Sequence, residues 1–203
     1  MPIEAVAVVA VLAAYLLGSV PFAIIVSRAY GLADPRHYGS KNPGATNVLR
    51  SGNHQAAALT LAGDAAKGWL AVFAAEQLQL PTWIVGLVAL AVFFGHLFPV
   101  FLKFKGGKGV ATAAGVILGL DAILAVAVIG TWIAVAYSFR YSSAAAVSAA
   151  VAGLLLAGLI HGTSGFIVLV VGIIALALIG KHWANIQRLM AGTEPKIGAD
   201  QAH

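Results

Sequence analysis

Residues 83–102 read WIVGLVALAVFFGHLFPVFL, a run without Asp, Glu, Lys or Arg. A helix rises about 1.5 Å per residue, so this run is long enough to cross a hydrocarbon core of about 30 Å. The whole chain is similar in character, because 61% of its 203 residues are hydrophobic and only 9% are charged. A soluble domain has about 25% charged residues. Composition therefore predicts a helical protein of the membrane.

Further apolar runs flank this one on both sides. The longer runs cover Ile3 to Ser27, Ala56 to Ala75, Ala122 to Phe139, Ala144 to Ile160 and Phe166 to Gly180. A shorter run, Val110 to Leu120, reaches only part of the way across a bilayer. Pro21 lies inside the first run, where neighbouring helices can satisfy the carbonyl that a proline kink frees. The many glycines favour closely packed helices over flexible segments.

The basic residues predict the orientation. If the short run is a separate span and the N-terminus lies outside, every Lys and Arg except Lys67 falls in a cytoplasmic loop. Merging the short run with the next helix gives six spans and puts Arg140 or the basic C-terminus on the wrong side. The positive-inside rule therefore predicts an all-α integral membrane protein, a bundle of seven transmembrane helices. Its N-terminus is periplasmic or extracellular, its C-terminus is cytoplasmic, and residues 1–203 form a single membrane-embedded domain.

Charge and cysteine content exclude several classes of partner and site. The net charge of +5 could indicate nucleic acid, but in so apolar a chain it favours cytoplasmic loops beside anionic membrane lipids. We expect no nucleic-acid partner. The chain has no cysteine, which excludes disulfides and thiolate metal sites. No metal-ligand cluster is recognisable, so no metal site is predicted.

The first polar segment lies in the first cytoplasmic loop and reads YGSKNPGATNVLR from Tyr38 to Arg50. Its glycines, hydroxyls and amides could curl around one anion, with Arg50 as a bidentate partner for phosphate oxygens. The alternative is a polar turn in which an Asn or Thr side chain caps a helix near Val48. Spacing alone does not separate these interpretations.

The second polar segment reads KFKGGKGVAT from Lys103 to Thr112. Three glycines around Lys108, at the start of a helix, could form an anion nest with a point charge beside it. The segment is not a P-loop, because Leu102 and Gly109 stand where that motif needs Gly and Ser or Thr. The alternative is a tight inter-helix turn with lysines that reach toward the lipid headgroups.

The third polar segment reads KHWANIQR from Lys181 to Arg188. If it is helical, His182 and Asn185 share a face at i, i+3 and both can reach one ligand. The alternative is anchoring at the membrane interface by Trp183 and the cations.

Three ionisable groups lie deeper in the predicted spans. Asp64 and Lys67 stand at i, i+3 in the second span, where charges are costly and are usually paired, and often functional. His96 lies about two turns from the inner end of the third span, where a satisfied structural histidine is the simpler interpretation.

The predicted topology collects all three polar segments on the cytoplasmic face. Together they offer cations, hydroxyls, amides and a histidine but few carboxylates, which indicates an anion site open to the cytosol and next to lipid. No Ser-His-Asp pattern and no His-x4-Asp motif is recognisable. A transporter or channel is the rival interpretation, but transporters place their binding groups near the bilayer midplane.

The same residues resemble a known family. Residues 39–50 are similar to the first motif of the bacterial acyl-phosphate:glycerol-3-phosphate acyltransferases, the PlsY family. Residues 106–111 are similar to its second motif, and His182, Asn185, Ile186 and Arg188 to its third. Lesser matches include residues 17–22, Asp64 with Lys67 and Gly68, residues 95–101, and Arg140 with Tyr141 and Ser143.

The resemblance implies a multi-pass enzyme of the bacterial inner membrane, with its active site facing the cytoplasm. It would transfer an acyl group from acyl phosphate to glycerol 3-phosphate, the first acylation step of bacterial phospholipid synthesis. It implies that Ser40, Arg50 and Lys108 surround phosphate groups and that His182 and Asn185 orient the glycerol. Of these, Ser40, Lys108, His182 and Asn185 are expected to be catalytic. The residues that would shape the substrate pocket are Asn42, Thr46, Asn47, Gly107 and Ser143, and Asp64, Lys67 and His96 would support it.

The chain departs from the family pattern at peripheral positions. Lys181 and Ala184 stand where the third motif often has Arg and Glu, and Lys41 stands where a small residue is common. Because acyl phosphate is already activated, no cofactor and no covalent enzyme intermediate is expected. The general base is either His182 or the phosphate of the substrate itself. We expect the protein to work as a monomer.

Overall fold

A computed structural model describes residues 2–198, and within that range the regular structure is helical, with no strand. The helices up to residue 120 are α1 (Ile3–Gly18), α2 (Phe22–Ala29), α3 (Ala45–Leu49), α4 (His54–Gln77), α5 (Thr82–Leu97) and α6 (Val110–Leu120). A 3₁₀ turn covers Val100–Leu102. The later helices are α7 (Ala122–Phe139), α8 (Ser142–His161), α9 (Phe166–Lys181) and α10 (Trp183–Met190). The predicted all-α class is confirmed, and α6 and α7 begin and end where predicted.

The chain divides into two compact units, one ending at Leu120 and the other beginning at Asp121. In the first unit α4 packs against α5 and α6, and α1 packs against α5. In the second unit α8 packs against α7 and α9, and α10 contacts both α8 and α9. The single domain of residues 1–203 stays a prediction, and its residues 1 and 199–203 lie outside the described range.

The first predicted span is divided into two helices. α1 ends at Gly18 and α2 begins at Phe22, and their axes differ by 41°. Pro21 explains the break, because its ring clashes with a preceding helical turn and disfavours a helical conformation at Val20. At the break the Val20 carbonyl accepts a hydrogen bond from the Phe22 N–H at 3.2 Å.

Three stretches within residues 2–198 are long and apolar enough to cross a membrane: Thr82–Leu102, Ala122–Phe139 and Ser142–His161. The bent pairs α1–α2 and α9–α10 raise the number to five if each pair is one span. α6 is apolar but short. α4 is long, but Asp64 and Lys67 lie within it and lower its hydropathy. The seven spans and the sidedness of the termini stay predictions.

Glycines let pairs of helices approach closely. α1 meets α5 at Gly18, where an added Cβ would overlap the carbonyl of Val92. α4 meets α6 at Gly115, where an added Cβ would overlap the carbonyl of Ala65. Backbone contacts of this kind replace hydrophobic burial as the source of helix association in a membrane. The prediction that the glycines serve helix packing is confirmed at these positions.

We expect Gly115→Ala to destabilise the protein, because the methyl group would push α6 away from α4. Overpacking of this kind costs about 1–3 kcal/mol. Gly130→Ala is the matched control, since nothing lies within 4 Å of a Cβ at Gly130. That change should be neutral or should stabilise α7 by up to about 1 kcal/mol. Thermal unfolding in detergent measures both, and equal Tm values for the two variants would contradict the close α4–α6 contact.

Candidate active site

Asn47 holds the loop of the first motif together from its centre. Its Oδ1 accepts a hydrogen bond from the Ser40 backbone N–H at 2.9 Å. Its Nδ2 donates to the carbonyls of Pro35 at 2.6 Å and Tyr38 at 3.2 Å. The Asn47 side chain is buried and is used for internal bracing. It therefore fixes the position of Ser40.

Of the two interpretations of this segment, the one with an Asn or Thr side chain capping a helix near Val48 is contradicted by the structure. α3 begins at Ala45, and its N-cap is Gly44, which has no side chain to accept a hydrogen bond. Asn47 lies inside α3 and bonds to the preceding loop instead. The polar segment is therefore a folded-back loop that is closed by a short helix.

Gly39 brings Arg50 against the start of this loop. Its φ is +55°, in the left-handed region that favours glycine. A Cβ at Gly39 would overlap Oδ1 of Asn47 and would lie 3.2 Å from Nη1 of Arg50. The guanidinium therefore lies beside Gly39, one residue from Ser40. Of the remaining predicted residues in this loop, Asn42 is half-buried and Thr46 is exposed.

The second motif begins as a tight turn docked on the end of α5. The backbone N–H of Gly106 donates to the Leu97 carbonyl at 3.3 Å, and that of Gly107 donates to the His96 carbonyl at 3.2 Å. The predicted anion nest is therefore wrong for these two donors, which are used inside the protein. Only glycine fits here, because a Cβ at Gly106 would overlap the His96 carbonyl. The interpretation of this segment as a tight inter-helix turn therefore holds for Gly106 and Gly107.

Lys108 follows the turn and precedes the N-terminus of α6. It is half-buried, and α6 begins at Val110 as the sequence predicts. The first N–H groups of a helix have no partner within the helix, and the helix dipole places partial positive charge there. Lys108 and the start of α6 therefore form a positively charged end to the second motif.

The first and second motifs meet within the first unit. The Pro43 carbonyl lies 3.1 Å from the position of a Cβ at Gly107. A small cavity opens at this meeting point, lined by Gly18, Ser19, Val20, Pro21, Pro43, Lys67, His96, Pro99, Leu102, Gly106 and Gly107. The sequence predicted that these motifs share a face, and the structure brings them into contact.

The deeper ionisable groups form one cluster beside this cavity. Nζ of Lys67 lies 2.8 Å from Oδ1 of Asp64, so the predicted i, i+3 pair is confirmed. Nδ1 of His96 lies 3.4 Å from the same carboxylate oxygen. Nζ of Lys67 also donates to the Val20 carbonyl at 2.8 Å, which adds a second donor to this acceptor at the break between α1 and α2.

In the second unit His182 occupies a bend between two helices. α9 ends at Lys181, α10 begins at Trp183, and their axes differ by 58°. The helical condition stated for this motif is met only in part, because the bend interrupts the helix at His182 while the Ile186 N–H still donates to the His182 carbonyl at 2.9 Å. Asn185 therefore remains one turn beyond His182.

The His182 ring has an assigned tautomer. Its Nδ1 lies 2.9 Å from the Leu178 carbonyl oxygen, which can only accept a hydrogen bond. Nδ1 must therefore be protonated, and Nε2 is the nitrogen with the lone pair in the neutral ring. The side chain is buried, so this orientation is well defined.

Glu194 is a residue of this site that the sequence reasoning missed. Its Oε1 accepts hydrogen bonds from Ser143 Oγ and Asn185 Nδ2, each at 2.7 Å. Its Oε2 accepts one from Arg188 Nε at 2.8 Å. The Glu194 side chain is only 6% exposed. Ser143 and Asn185, both predicted to contact substrate, are thus held by one carboxylate.

The return of the chain after α10 brings Glu194 to this position. The Ile197 N–H donates to the Arg140 carbonyl at 2.6 Å, and the Arg140 guanidinium donates to the Ile197 carbonyl at 3.0 Å. One signal in the sequence could have identified Glu194. It is the only carboxylate residue between Asp121 and Asp200, in a segment that is otherwise basic.

Burial raises the pKa of the Glu194 carboxyl, but the three donated hydrogen bonds lower it by more. The pKa of Glu194 is therefore below its ordinary value of 4.5. Because the pKa of Glu194 is lower in the folded than in the unfolded protein, the ionised carboxylate stabilises the fold at pH values above 4.5. That stabilisation is lost as the pH falls through the lowered folded-state pKa.

We expect Glu194→Gln to lower the free energy of unfolding by about 2 kcal/mol near pH 7. The charge-assisted hydrogen bonds are lost, and the NH₂ group of the new glutamine faces side chains that are themselves donors. The difference from the unaltered protein should shrink as pH falls below 4.5 and through the lowered pKa of Glu194, where Glu194 itself becomes protonated. Thermal unfolding in detergent across this range measures it. Glu76→Gln, at an exposed carboxylate, is the control and should change little. A difference for Glu194→Gln that does not vary with pH would contradict an ionised Glu194.

Comparison with known proteins gives a consistent result. The family profile described as glycerol-3-phosphate acyltransferase matches residues 8–192. A glycerol-3-phosphate acyltransferase of Dechloromonas aromatica is 65% identical over 191 residues, which cover 94% of this chain and 96% of that protein. One from Burkholderia ambifaria is 57% identical over 190 residues, covering 93% and 90%.

Solved structures agree in fold. The crystal structure of PlsY (YgiH), an integral membrane glycerol 3-phosphate acyltransferase, in its glycerol 3-phosphate form superposes with a TM-score of 0.87. Its sequence is 33% identical, and the match covers 95% of this chain and 96% of that one. The lysophosphatidic acid form gives a TM-score of 0.85 at 32% identity, covering 95% of each chain.

Proposed function

Because this chain belongs to the glycerol-3-phosphate acyltransferase family, we propose that it transfers the acyl group of acyl phosphate to the 1-hydroxyl of sn-glycerol 3-phosphate. The products are 1-acyl-sn-glycerol 3-phosphate, which is lysophosphatidic acid, and inorganic phosphate. The observation that supports the proposal is the contact between Pro43 of the first motif and Gly107 of the second. Ser40 and Arg50 belong to the first motif, and Lys108 directly follows Gly107. Such a set of donors suits phosphate groups.

The chemistry needs no covalent enzyme intermediate. The glycerol 1-hydroxyl oxygen attacks the acyl carbon, and the bond between that carbon and the bridging oxygen breaks. Phosphate leaves with the electron pair, and the proton of the hydroxyl passes to a base and then to phosphate. Fixed cations and N–H groups stabilise the negative charge that develops on the carbonyl oxygen and on the leaving group. Holding both substrates in line supplies the remaining rate enhancement.

The roles of single residues follow from their chemistry and from the family motifs. In the proposal Ser40, Arg50 and Lys108 bind phosphate oxygens, and Asn42, Thr46, Asn47 and Gly107 shape the loops that carry them. His182, Asn185 and Ser143 orient the glycerol. The hydrogen bond from the Ser40 N–H to Asn47 supports this assignment, because it fixes the backbone beside the Ser40 hydroxyl. Asp64, Lys67 and His96 support the second motif.

The membrane arrangement is part of the same proposal. The loop charges favour seven spans, with the N-terminus outside and the C-terminus in the cytoplasm. The enzyme would then be a single-domain, multi-pass monomer of the bacterial inner membrane, and its active site would face the cytosol. Soluble glycerol 3-phosphate would enter from that side, while the acyl phosphate donor would lie among the lipids.

Purified protein should form lysophosphatidic acid from palmitoyl phosphate and glycerol 3-phosphate, and not from acyl-CoA or acyl-carrier protein. Lys108→Ala should lower kcat/KM at least about a hundredfold, because a cation that stabilises developing charge is removed. Lys105→Ala, at an exposed lysine three residues earlier, is the matched control and should keep its turnover. Equal activity of both variants, or product from acyl-CoA instead, would contradict the proposal.

His182→Gln separates the two bases that the chemistry allows. The assigned tautomer presents Nε2 as the proton acceptor, so we expect kcat to fall about a hundredfold or more, the usual contribution of a general base. The dependence of kcat/KM on pH should also change in the same variant, because a proton acceptor has been removed. Near-full turnover with an unchanged pH profile would assign the role to the phosphate of the substrate.

A further inference from the structure

The cluster of Asp64, Lys67 and His96 contacts the second motif directly. Asp64 and Lys67 belong to α4 and His96 to the last turn of α5, and all three residues are buried, with exposures of 3%, 2% and 8%. A buried lysine and aspartate at i, i+3 could be explained as a neutralised pair alone. The histidine needs a separate explanation, because the pair is already balanced without it.

The His96 ring faces the Asp64 carboxylate. Its Nδ1 lies 3.4 Å from Oδ1 of Asp64, and the same oxygen lies 2.8 Å from the Lys67 ammonium. A carboxylate paired with an ammonium is ionised and can only accept hydrogen bonds. The contact therefore favours a proton on Nδ1 of His96, and Nε2 lies on the side of the ring away from Asp64.

The other side of the ring lies against the glycine turn. A Cβ at Gly107 would overlap Nε2 of His96, so Gly107 packs directly on the imidazole. The His96 carbonyl also accepts the Gly107 N–H at 3.2 Å. His96 thus contacts one residue of the turn twice, through its backbone and through its side chain. Gly107 directly precedes Lys108.

We infer that Asp64, acting through His96, positions the glycine turn of the second motif and thereby sets the place of Lys108. His96 is a positioning residue for the acyl transfer. This inference rests on the proposed function, since it explains how the phosphate-binding lysine is held. Lys67 neutralises Asp64 and ties it to the break between α1 and α2, so the ring orientation depends on a cluster that is shielded from water.

The inference predicts a kinetic effect that a purely structural histidine would not produce. His96→Asn keeps a donor near the Nδ1 position but removes the atoms that touch Gly107. Asp64→Asn leaves the residues of the glycine turn unchanged but weakens the contact between the residue at position 64 and the His96 ring. Each change should raise KM for the substrate that Lys108 binds, or lower kcat, by about tenfold to a hundredfold, because a small misplacement of a binding group has effects of this size. The double variant should be no worse than His96→Asn alone, since both changes act through one contact.

The experiment measures kcat, KM for both substrates and Tm for the unaltered enzyme, the two single variants and the double variant. Thr60→Val is the matched control, because Thr60 is fully buried on α4 and its hydroxyl donates to the Ala56 carbonyl of its own helix. Its Tm should fall while its kinetic constants stay unchanged. Kinetic constants that stay unchanged in Asp64→Asn and His96→Asn, or losses that multiply in the double variant, would overturn the inference.

A second readout does not depend on activity. Long-range ¹H–¹⁵N spectra of the histidine rings should show His96 as the Nδ1-protonated tautomer, identified by its loss in His96→Asn. The signal should move toward a mixture of tautomers in Asp64→Asn. An Nε2-protonated ring in the unaltered protein would refute the orientation by Asp64, whether or not the enzyme is active. An unaltered enzyme that is inactive with every donor, but has the expected tautomer, would refute the proposed function and leave the Asp64–His96 contact established.

Discussion

A lysine ammonium and an aspartate carboxylate lie 2.8 Å apart inside a helix long enough to cross a membrane, and neither side chain is more than 4% exposed. Either charge alone would be very costly there, so each is tolerated only because of the other. The pair adds little stability beyond what apolar residues of the same volume could provide. Its importance is positional, because Lys67 also reaches the Val20 carbonyl and Asp64 also faces His96.

Those two additional contacts connect features that are distant in the sequence. At the break before Pro21 the half-buried Val20 residue accepts a hydrogen bond at its carbonyl from the Phe22 N–H, and Lys67 adds a second donor from α4. At the end of α5 the carbonyls of His96 and Leu97 accept hydrogen bonds from the N–H groups of the glycine turn. The broken first helix, α4 and the second motif therefore depend on one polar cluster in an otherwise apolar unit. In the second unit Glu194 has the corresponding role, since one buried carboxylate holds Ser143 and Asn185.

Much of the fold could be predicted from the sequence, because length and hydropathy determine where membrane helices form. The run Val110 to Leu120 matches α6, and the Asp64–Lys67 pair follows from i, i+3 spacing. The contacts of the site could not be predicted in the same way. The glycines of the second motif indicated an anion nest, yet the Gly107 N–H is used by α5, which is a matter of tertiary packing. The bracing by Asn47 and the return of Glu194 are also long-range contacts that have no periodic signal.

A double-mutant cycle on Asp64→Asn and Lys67→Met tests the dependence on the buried pair most directly. The free energy of unfolding would be measured under reversible conditions in a lipid-like environment. Each single change should cost about 3–5 kcal/mol, because it leaves one buried charge without its partner. The double variant should lose far less than the sum, since neither charge remains. Additive losses would mean that the two side chains act independently, and the buried pair would not be the interaction on which the first unit depends.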